Sequence, residues 1–436
     1  MISARPLSGA SRRDRAPFVA LCAATSISLI GNELTAIALP WLVLTSLGTP
    51  LDAGLVGAAV VLPGVIGAFF GGSAIDRLGG RRTSIAGDLT SAVAVAAIPL
   101  AALTIGLSVP IVIVLAFLSA LLDAPGATAR QVLIPEVAER AGIGPDRANA
   151  TYQAVQNVSF MVGPLLGGLI IVLAGPTNAL WFDALTFVVS AAIVAVAVPG
   201  PRSRPSREEA ADLLAGLRVV ASDAVLRGMS FVALIANLVG APLFAVLLPA
   251  FALRSAGSAG ALGVLLGAFA AGTVVGSIAY AIWGPRLGRR PVLIAGLVVT
   301  GIGIGIVALG PPLPIAIAAL AVAGVGTGPI NPIAFTVMQE RIPAAIRGRA
   351  FGAIIGGVLA AAPVGMIVLG ALTEASGPAL GLAAAAAAFV LAGVVASLWS
   401  PFRDLDAGRL EGQPPAYLGA TDDPAGSAEA RVDPGS

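Results

Sequence analysis

Glu33 is the residue of this sequence whose type and position most directly indicate chemistry. It lies about halfway along the apolar run 17–46, next to Asn32. A charged side chain at the centre of a membrane costs about 3 kcal/mol on insertion scales, which makes such a residue a candidate for function. We expect the carboxyl group to exchange a proton or to meet a cationic substrate. The alternative is a structural Glu that is paired or tilted towards the membrane interface.

Uncharged polar side chains form a second candidate group. Between 149 and 157 they recur at i, i+4, i+7 and i+8, which places them on one face of a helix. Two later apolar runs each contribute an Asn from the second half of the chain. Such groups could line a substrate cavity, or could only form hydrogen bonds between helices. The predicted cavity residues are Gln153, Gln156, Asn157, Asn237 and Asn331.

The remaining composition excludes several classes of site. The chain has no His and only Cys22, so a His-ligated metal centre and an internal disulfide are excluded, and no metal or cofactor is expected. No P-loop is found, which argues against ATP-driven transport and most enzyme chemistry. A membrane enzyme or receptor is therefore the weaker alternative. All 25 basic residues are Arg, the net charge is +2, and the distribution of Arg along the chain does not suggest a nucleic-acid partner.

Membrane helices must position these groups. The chain is 57% hydrophobic and 11% charged, whereas soluble domains are about 25% charged. A window of about nineteen residues finds twelve apolar runs, six on each side of a polar stretch. We predict an all-α integral membrane protein with twelve transmembrane helices in two pseudo-symmetric six-helix bundles. The runs are 17–46, 54–75, 84–106, 109–128, 150–174, 178–198, 229–251, 261–283, 291–309, 313–338, 349–373 and 378–399.

The same pattern divides the chain into five segments. Ser206 and Glu209 have capping-box spacing, and apolar residues follow at helical intervals, which predicts an amphipathic helix at the cytoplasmic surface. The residues after 401 are rich in Pro, Gly and Asp without periodicity, which predicts disorder. The segments are an N-terminal arm (1–16), a first bundle (17–199), a linker (200–228), a second bundle (229–400) and a tail (401–436).

The Arg residues predict the orientation in the membrane. With both termini in the cytoplasm, every Arg except Arg254 falls on the cytoplasmic side, as the positive-inside rule describes. This assignment places Arg130 in a cytoplasmic loop, and it places Asp183 and Glu374 near the external interface. We expect a multi-pass protein of the cytoplasmic membrane.

The two halves of the chain repeat one another. DRLGGRR at 76–82 follows the second run, and PRLGRR at 285–290 follows the eighth. Such repeats across twelve helices are typical of transporters, because two similar bundles can rock about a site at the midplane.

From about residue 17 to 399 the chain resembles the major facilitator superfamily. The clearest motif is similar to the family's loop motif G-x-x-x-D-R-x-G-R-[RK], with Gly80 where the family commonly has Arg. The resemblance implies that Asp76 faces the eleventh helix and acts in a conformational gate. Arg81 could replace the Arg that is missing at position 80, and Asp123 would then be its candidate partner. A plain cytoplasmic loop would explain the Arg residues but not the Gly-Asp spacing. The motif ends at Arg82, and the implied gate residues are Gly72, Asp76, Arg77, Gly79, Arg81 and Asp123.

A second motif, on the fifth run, is similar to the GP-x-x-GG core associated with exporters of this superfamily. It consists of Gly163, Pro164, Gly167 and Gly168. Small residues one turn apart would also serve ordinary helix packing. With neighbouring segments, the chain most resembles the drug-exporter and secretion-effector branch that includes macrolide and siderophore exporters.

The resemblance implies a secondary exporter of small amphipathic or lipophilic compounds, coupled to protons by antiport and working by alternating access. Its partners would be the substrate, protons and the bilayer, and the chain would act as a monomer without a cofactor. A facilitative or importing transporter of a metabolite is the alternative. The fourth run contains no Arg before Arg130, so the intramembrane Arg motif of many proton-coupled drug exporters is not found.

Overall fold

The structure is a computed structural model that describes residues 12–200, 221–342, 354 and 356–405. Over these residues it contains twelve long helices and no strand. Eleven of them are long and apolar enough to cross a membrane, and the helix from Pro50 has an apolar section that is described only as far as Gly64. The predicted all-α membrane fold is confirmed. The helices are α1 Arg12–Leu42, α2 Pro50–Leu78, α3 Gly80–Thr104, α4 Val109–Arg140, α5 Pro145–Ala174, α6 Pro176–Ala197, α7 Ala224–Ala256, α8 Ala259–Leu287, α9 Arg289–Ala308, α10 Leu313–Arg341, α11 Gly356–Ser376 and α12 Pro378–Leu398.

The sequence repeat corresponds to a repeated backbone turn. Gly79 (φ 80°) joins α2 directly to α3, and Gly288 (φ 77°) joins α8 directly to α9. Residues with a side chain rarely adopt this left-handed conformation, so glycine permits both one-residue connections. Each repeat also has a π-helical turn at the same place, at Val43–Leu47 after α1 and at Leu243–Leu247 within α7.

Helix packing follows the same symmetry. In the first half α1 packs on α5 and α6, α2 on α4, and α3 on α4 and α6. In the second half the corresponding pairs are α7 with α11, α8 with α10, and α9 with α10 and α12. Each half is therefore a bundle of helices, and the two bundles share the same pattern of helix contacts.

The two halves meet mainly through α2 with α11 and α5 with α8. A Cβ atom placed on Gly168 of α5 would lie 2.6 Å from the Cα atom of Gly263 on α8. Thr49 Oγ1, just before α2, donates a hydrogen bond of 2.7 Å to Glu374 at the end of α11. All of these contacts lie at the end of the molecule opposite the α2–α3 and α8–α9 turns. We call this end the closed end.

Some predicted features lie outside the described residues. These are the amphipathic helix expected between 206 and 220, the N-terminal arm before 12 and the tail beyond 405. The fourth helix is longer than its predicted run 109–128 and continues to Arg140. The prediction that Arg130 lies in a loop is therefore wrong, because the helix carries this residue into the bundle.

Candidate functional site

A cavity of about 880 Å³ lies between the two halves. We call it the central cavity. Helices α1, α2 and α5 form its wall from one half, and α7, α8, α10 and α11 form it from the other. The wall is mostly apolar, and Phe244 packs edge-to-face on Phe269 at a ring-centre distance of 5.1 Å. The polar residues in the described wall are Glu33, Thr273, Ser277, Thr327 and Asn331.

Glu33 supplies the only acidic or basic side chain among the described wall residues. Helix α5 passes so close that a Cβ atom on Gly163 would lie 2.5 Å from the Glu33 Cβ atom. Gly167 likewise faces the Leu34 backbone, and Pro164 lines the central cavity. The glycines of this motif therefore allow α5 to hold the acid-bearing turn of α1 in place. Among the described residues, no hydrogen-bond or ion-pair partner of the Glu33 carboxyl group is found.

A buried ion pair joins α3 to α4 inside the first bundle. Arg130 is 1% exposed and Asp88 is 0% exposed, and Arg130 Nη1 donates a short hydrogen bond to Asp88 Oδ1. Ser190 Oγ of α6 donates to Asp88 Oδ2 at 2.7 Å, and Arg130 Nη2 donates to Ser28 Oγ of α1 at 3.2 Å. Four helices of the first half thus meet at one charge pair.

The sequence reasoning missed Asp88 and misplaced Arg130. The available signal was an Asp within the apolar run 84–106, together with an Arg seven residues after Asp123. Because hydropathy does not show which helix faces meet, that signal could not pair the residues.

Asp123 extends the network towards the helix that carries Glu33. Asn32 Nδ2 donates to Asp123 Oδ2 at 2.9 Å, and Arg130 Nη2 lies 3.6 Å from Asp123 Oδ1. Arg81 Nη2 instead donates a hydrogen bond to the Ala195 carbonyl oxygen of α6. The expected pairing of Arg81 with Asp123 is therefore not formed in this structure.

Asp183 lies inside the first bundle, and its expected position near the external end of the sixth helix stays a prediction. Its side chain is fully buried, at 0% exposure. Thr35 donates a short hydrogen bond to Asp183 Oδ2, and Thr186 donates one of 3.2 Å to Oδ1. The carboxyl group lies in the second turn of α6 and faces Thr35 of α1.

Comparison with known families agrees with this architecture. The family model described as Major Facilitator Superfamily matches residues 21–258 and 230–428. The chain belongs to the Major Facilitator Superfamily. It is therefore a multi-pass membrane transporter and not an enzyme.

Two curated relatives carry the same name, multidrug efflux pump Tap. The protein from Mycolicibacterium fortuitum is 36% identical over 402 residues, which cover 90% of this chain and 98% of that protein. The protein from Mycobacterium tuberculosis strain H37Rv is 35% identical over 404 residues, which cover 90% of this chain and 96% of that protein.

Solved structures show the same fold at low sequence identity. A D-xylose-proton symporter matches with a TM-score of 0.72 at 13% identity, covering 90% of this chain and 99% of that one. The nucleoside transporter NupG matches with a TM-score of 0.71 at 12% identity, covering 88% of this chain and 98% of that one. These likenesses support the superfamily fold and indicate nothing about the substrate.

Gln153, Gln156 and Asn237 are not among the described wall residues of the central cavity. Gln153 is exposed, Gln156 is half-buried, and Asn237 donates a 3.0 Å hydrogen bond to Ala233 of its own helix. The side chain of Asn157 lies outside the described residues. The assignment of these four residues to a substrate cavity stays a prediction.

The gate motif spans the end of α2 and the turn into α3. Gly72, Asp76 and Arg77 belong to α2, but their surroundings lie outside what the structure describes. Gly79 forms the turn, and Arg81 and Arg82 lie in the first turn of α3. The gating role of this motif also stays a prediction.

The contact of Gly168 with Gly263 predicts how the transporter would respond to a larger side chain at position 168. We expect Gly168→Val to separate α5 from α8, because its Cβ atom alone would lie 2.6 Å from backbone. Spin labels attached to cysteines replacing Leu173 and Ser255, in a Cys22→Ser background, would then report a longer mean distance across the closed end. The matched control is Gly240→Val, where a Cβ atom meets nothing within 4 Å. Equal distances in both variants would contradict a role of this crossing in closure.

Proposed function

We propose that this chain exports small amphipathic or lipophilic compounds from the cytoplasm by proton-coupled antiport. The observation that carries the proposal is the central cavity between the halves, with an apolar wall and one acid, Glu33. Such a wall binds by burial of apolar area with few directional hydrogen bonds, which suits bulky lipophilic compounds better than sugars. The name of the curated relatives, multidrug efflux pump, supports the same direction of transport.

The Arg distribution supports an orientation with both termini in the cytoplasm. The closed end then faces outwards, and the central cavity takes up substrate from the cytoplasmic side. Export requires such a state for loading, and a second state in which the contacts at the closed end have separated. We take the functional unit to be a monomer, because each chain contains both halves that form the cavity.

Glu33 is the proposed site of proton coupling. Its carboxyl group faces the central cavity, and its neighbour Asn32 is tied to the buried network through Asp123. A proton and a substrate that compete for this carboxyl group would be carried in opposite directions, which is antiport. The sequence has no P-loop to supply energy from ATP instead.

The experiment is an accumulation assay in a host whose own pumps are deleted. We expect expression to lower the cellular content of at least one lipophilic compound from a panel of antibiotics and dyes. The effect should disappear when an uncoupler collapses the proton gradient, while the amount of protein in the membrane stays the same. Cells carrying the empty vector are the control. Accumulation that rises on expression would favour an importer, and a fall that resists the uncoupler would contradict proton coupling.

A further inference from the structure

The uncharged polar side chains in the described wall of the central cavity all come from the second half of the chain. Glu33 is the polar wall residue described from the first half, and the other described wall residues are apolar. The uncharged polar residues lie on two neighbouring helices, and we call them the polar patch. They are Thr273 and Ser277 on α8, and Thr327 and Asn331 on α10.

The two helices hold the polar patch together. On each helix its two residues are four positions apart, so they share one face. A Cβ atom on Gly328 would lie 2.5 Å from the Ser277 backbone nitrogen, and one on Gly276 would overlap the Val325 carbonyl oxygen. Ser277 Oγ donates a hydrogen bond of 2.9 Å to the Gly328 carbonyl oxygen. The close crossing therefore makes the patch one preformed surface.

The hydroxyl protons of the polar patch are used within the protein. Thr273 Oγ1 donates to the Phe269 carbonyl oxygen at 2.9 Å, and Thr327 Oγ1 donates to that of Ala323 at 3.0 Å. Ser277 uses its proton in the bond between the helices. A hydroxyl group has a single proton but two lone pairs. These three oxygens can therefore accept hydrogen bonds from a bound molecule but cannot donate to it.

Asn331 is the member of the polar patch that can donate. Its side chain is exposed and lines the central cavity, and no hydrogen-bond partner of its amide group is found among the described residues. A side-chain amide has two N–H donors and one acceptor oxygen. The patch thus combines three acceptors with one group that donates and accepts. A hydroxyl group complements it, because a hydroxyl group also donates and accepts.

We propose that the polar patch binds a hydroxylated edge of the substrate. The hydroxyl groups of that edge donate to the oxygens of α8 and α10 and accept from Asn331. Phe269 lies one turn before Thr273 on α8 and forms the aromatic pair with Phe244, so the apolar body of the same molecule has its contacts directly beside the patch. This inference rests on the proposed function and narrows its substrate class to lipophilic compounds with hydroxyl groups along one edge.

Thiol protection tests the proposal without a transport assay. Cys22→Ser removes the single native thiol, and Ala270→Cys places a new one in the wall of the central cavity. The purified protein reacts with an uncharged maleimide in the presence of 2,3-dihydroxynaphthalene or of naphthalene. The first compound carries two hydroxyl groups on one edge of the ring system, and the second has the same rings without them. Both compounds should slow the labelling of position 270.

Two variants of the polar patch separate hydrogen bonding from apolar contact. Asn331→Leu removes the donor, and Thr273→Val with Ser277→Ala removes two acceptors. Each should raise the half-protecting concentration of the diol by at least about tenfold, because hydroxyl groups of the bound diol lose their partners. Each should leave the value for naphthalene unchanged, which shows in the same protein that the cavity is intact.

The matched control is Asn237→Leu, since Asn237 donates to its own helix and is not among the described wall residues. It should leave both values unchanged. An unchanged diol value in either patch variant, equal shifts for both compounds, or no protection by the diol would each overturn the proposal. The labelling needs neither transport nor a proton gradient. A failure of export in cells would therefore leave these results standing, and the two proposals fail separately.

Discussion

Arg130→Gln should lower the free energy of unfolding of this transporter by about 3–5 kcal/mol, which is the usual effect of removing one partner of a buried ion pair. Asp88 would be left at 0% exposure without an opposite charge, and the Ser190 hydroxyl group would be its remaining described donor. Water cannot reach the carboxylate, so nothing would replace the lost guanidinium group. The expected result is a lower unfolding temperature in detergent and a smaller folded fraction in size-exclusion chromatography.

The double variant Asp88→Asn with Arg130→Gln separates charge from packing. It removes both charges and leaves neutral groups that can hydrogen-bond, so it should recover most of the lost stability. The matched control is Arg140→Gln, which breaks the partly exposed pair with Glu136 at 2.7 Å. Such pairs contribute about 0–1 kcal/mol. A double variant as unstable as Arg130→Gln, or a single variant as stable as Arg140→Gln, would contradict the buried-pair interpretation.

Glu33→Gln should abolish accumulation against a gradient while substrate exchange across the membrane continues. Glutamine preserves the shape that packs against Gly163, but it cannot take up or release a proton. The carrier could then still change sides with substrate bound, without the driving force that we propose protons supply. The measurement compares uphill uptake with counterflow in inside-out proteoliposomes at several values of pH.

The matched control for that variant is Glu139→Gln, since Glu139 is exposed near the end of α4 and is not among the described wall residues of the central cavity. It should keep both uphill transport and its pH dependence. Uphill transport by Glu33→Gln with unchanged pH dependence would make Glu33 a structural residue. Loss of counterflow as well would indicate that Glu33 is needed for substrate binding or for the change of state.

Local properties of the chain were enough to predict the helices. A run of about twenty apolar residues can satisfy its backbone in a membrane only as a helix, so twelve such runs predicted twelve helices. The RLG turns at 77–79 and 286–288 predicted the repeat, which the backbone conformations of Gly79 and Gly288 confirm. The lone acid Glu33 was recognised as a candidate because its cost in a membrane is independent of its neighbours.

The pairing of side chains across helices was decided by the tertiary structure alone. Arg130 was read as a loop residue and Asp88 was not singled out, yet their side chains form one ion pair across 42 positions of sequence. Asp183 and Thr35 meet across 148 positions. Hydropathy reports whether a residue lies in a membrane helix, but the burial of a charge depends on which helix faces it and what that helix donates. The sequence could identify Glu33 as a candidate, while only the packed bundle shows that it lines the central cavity between the halves.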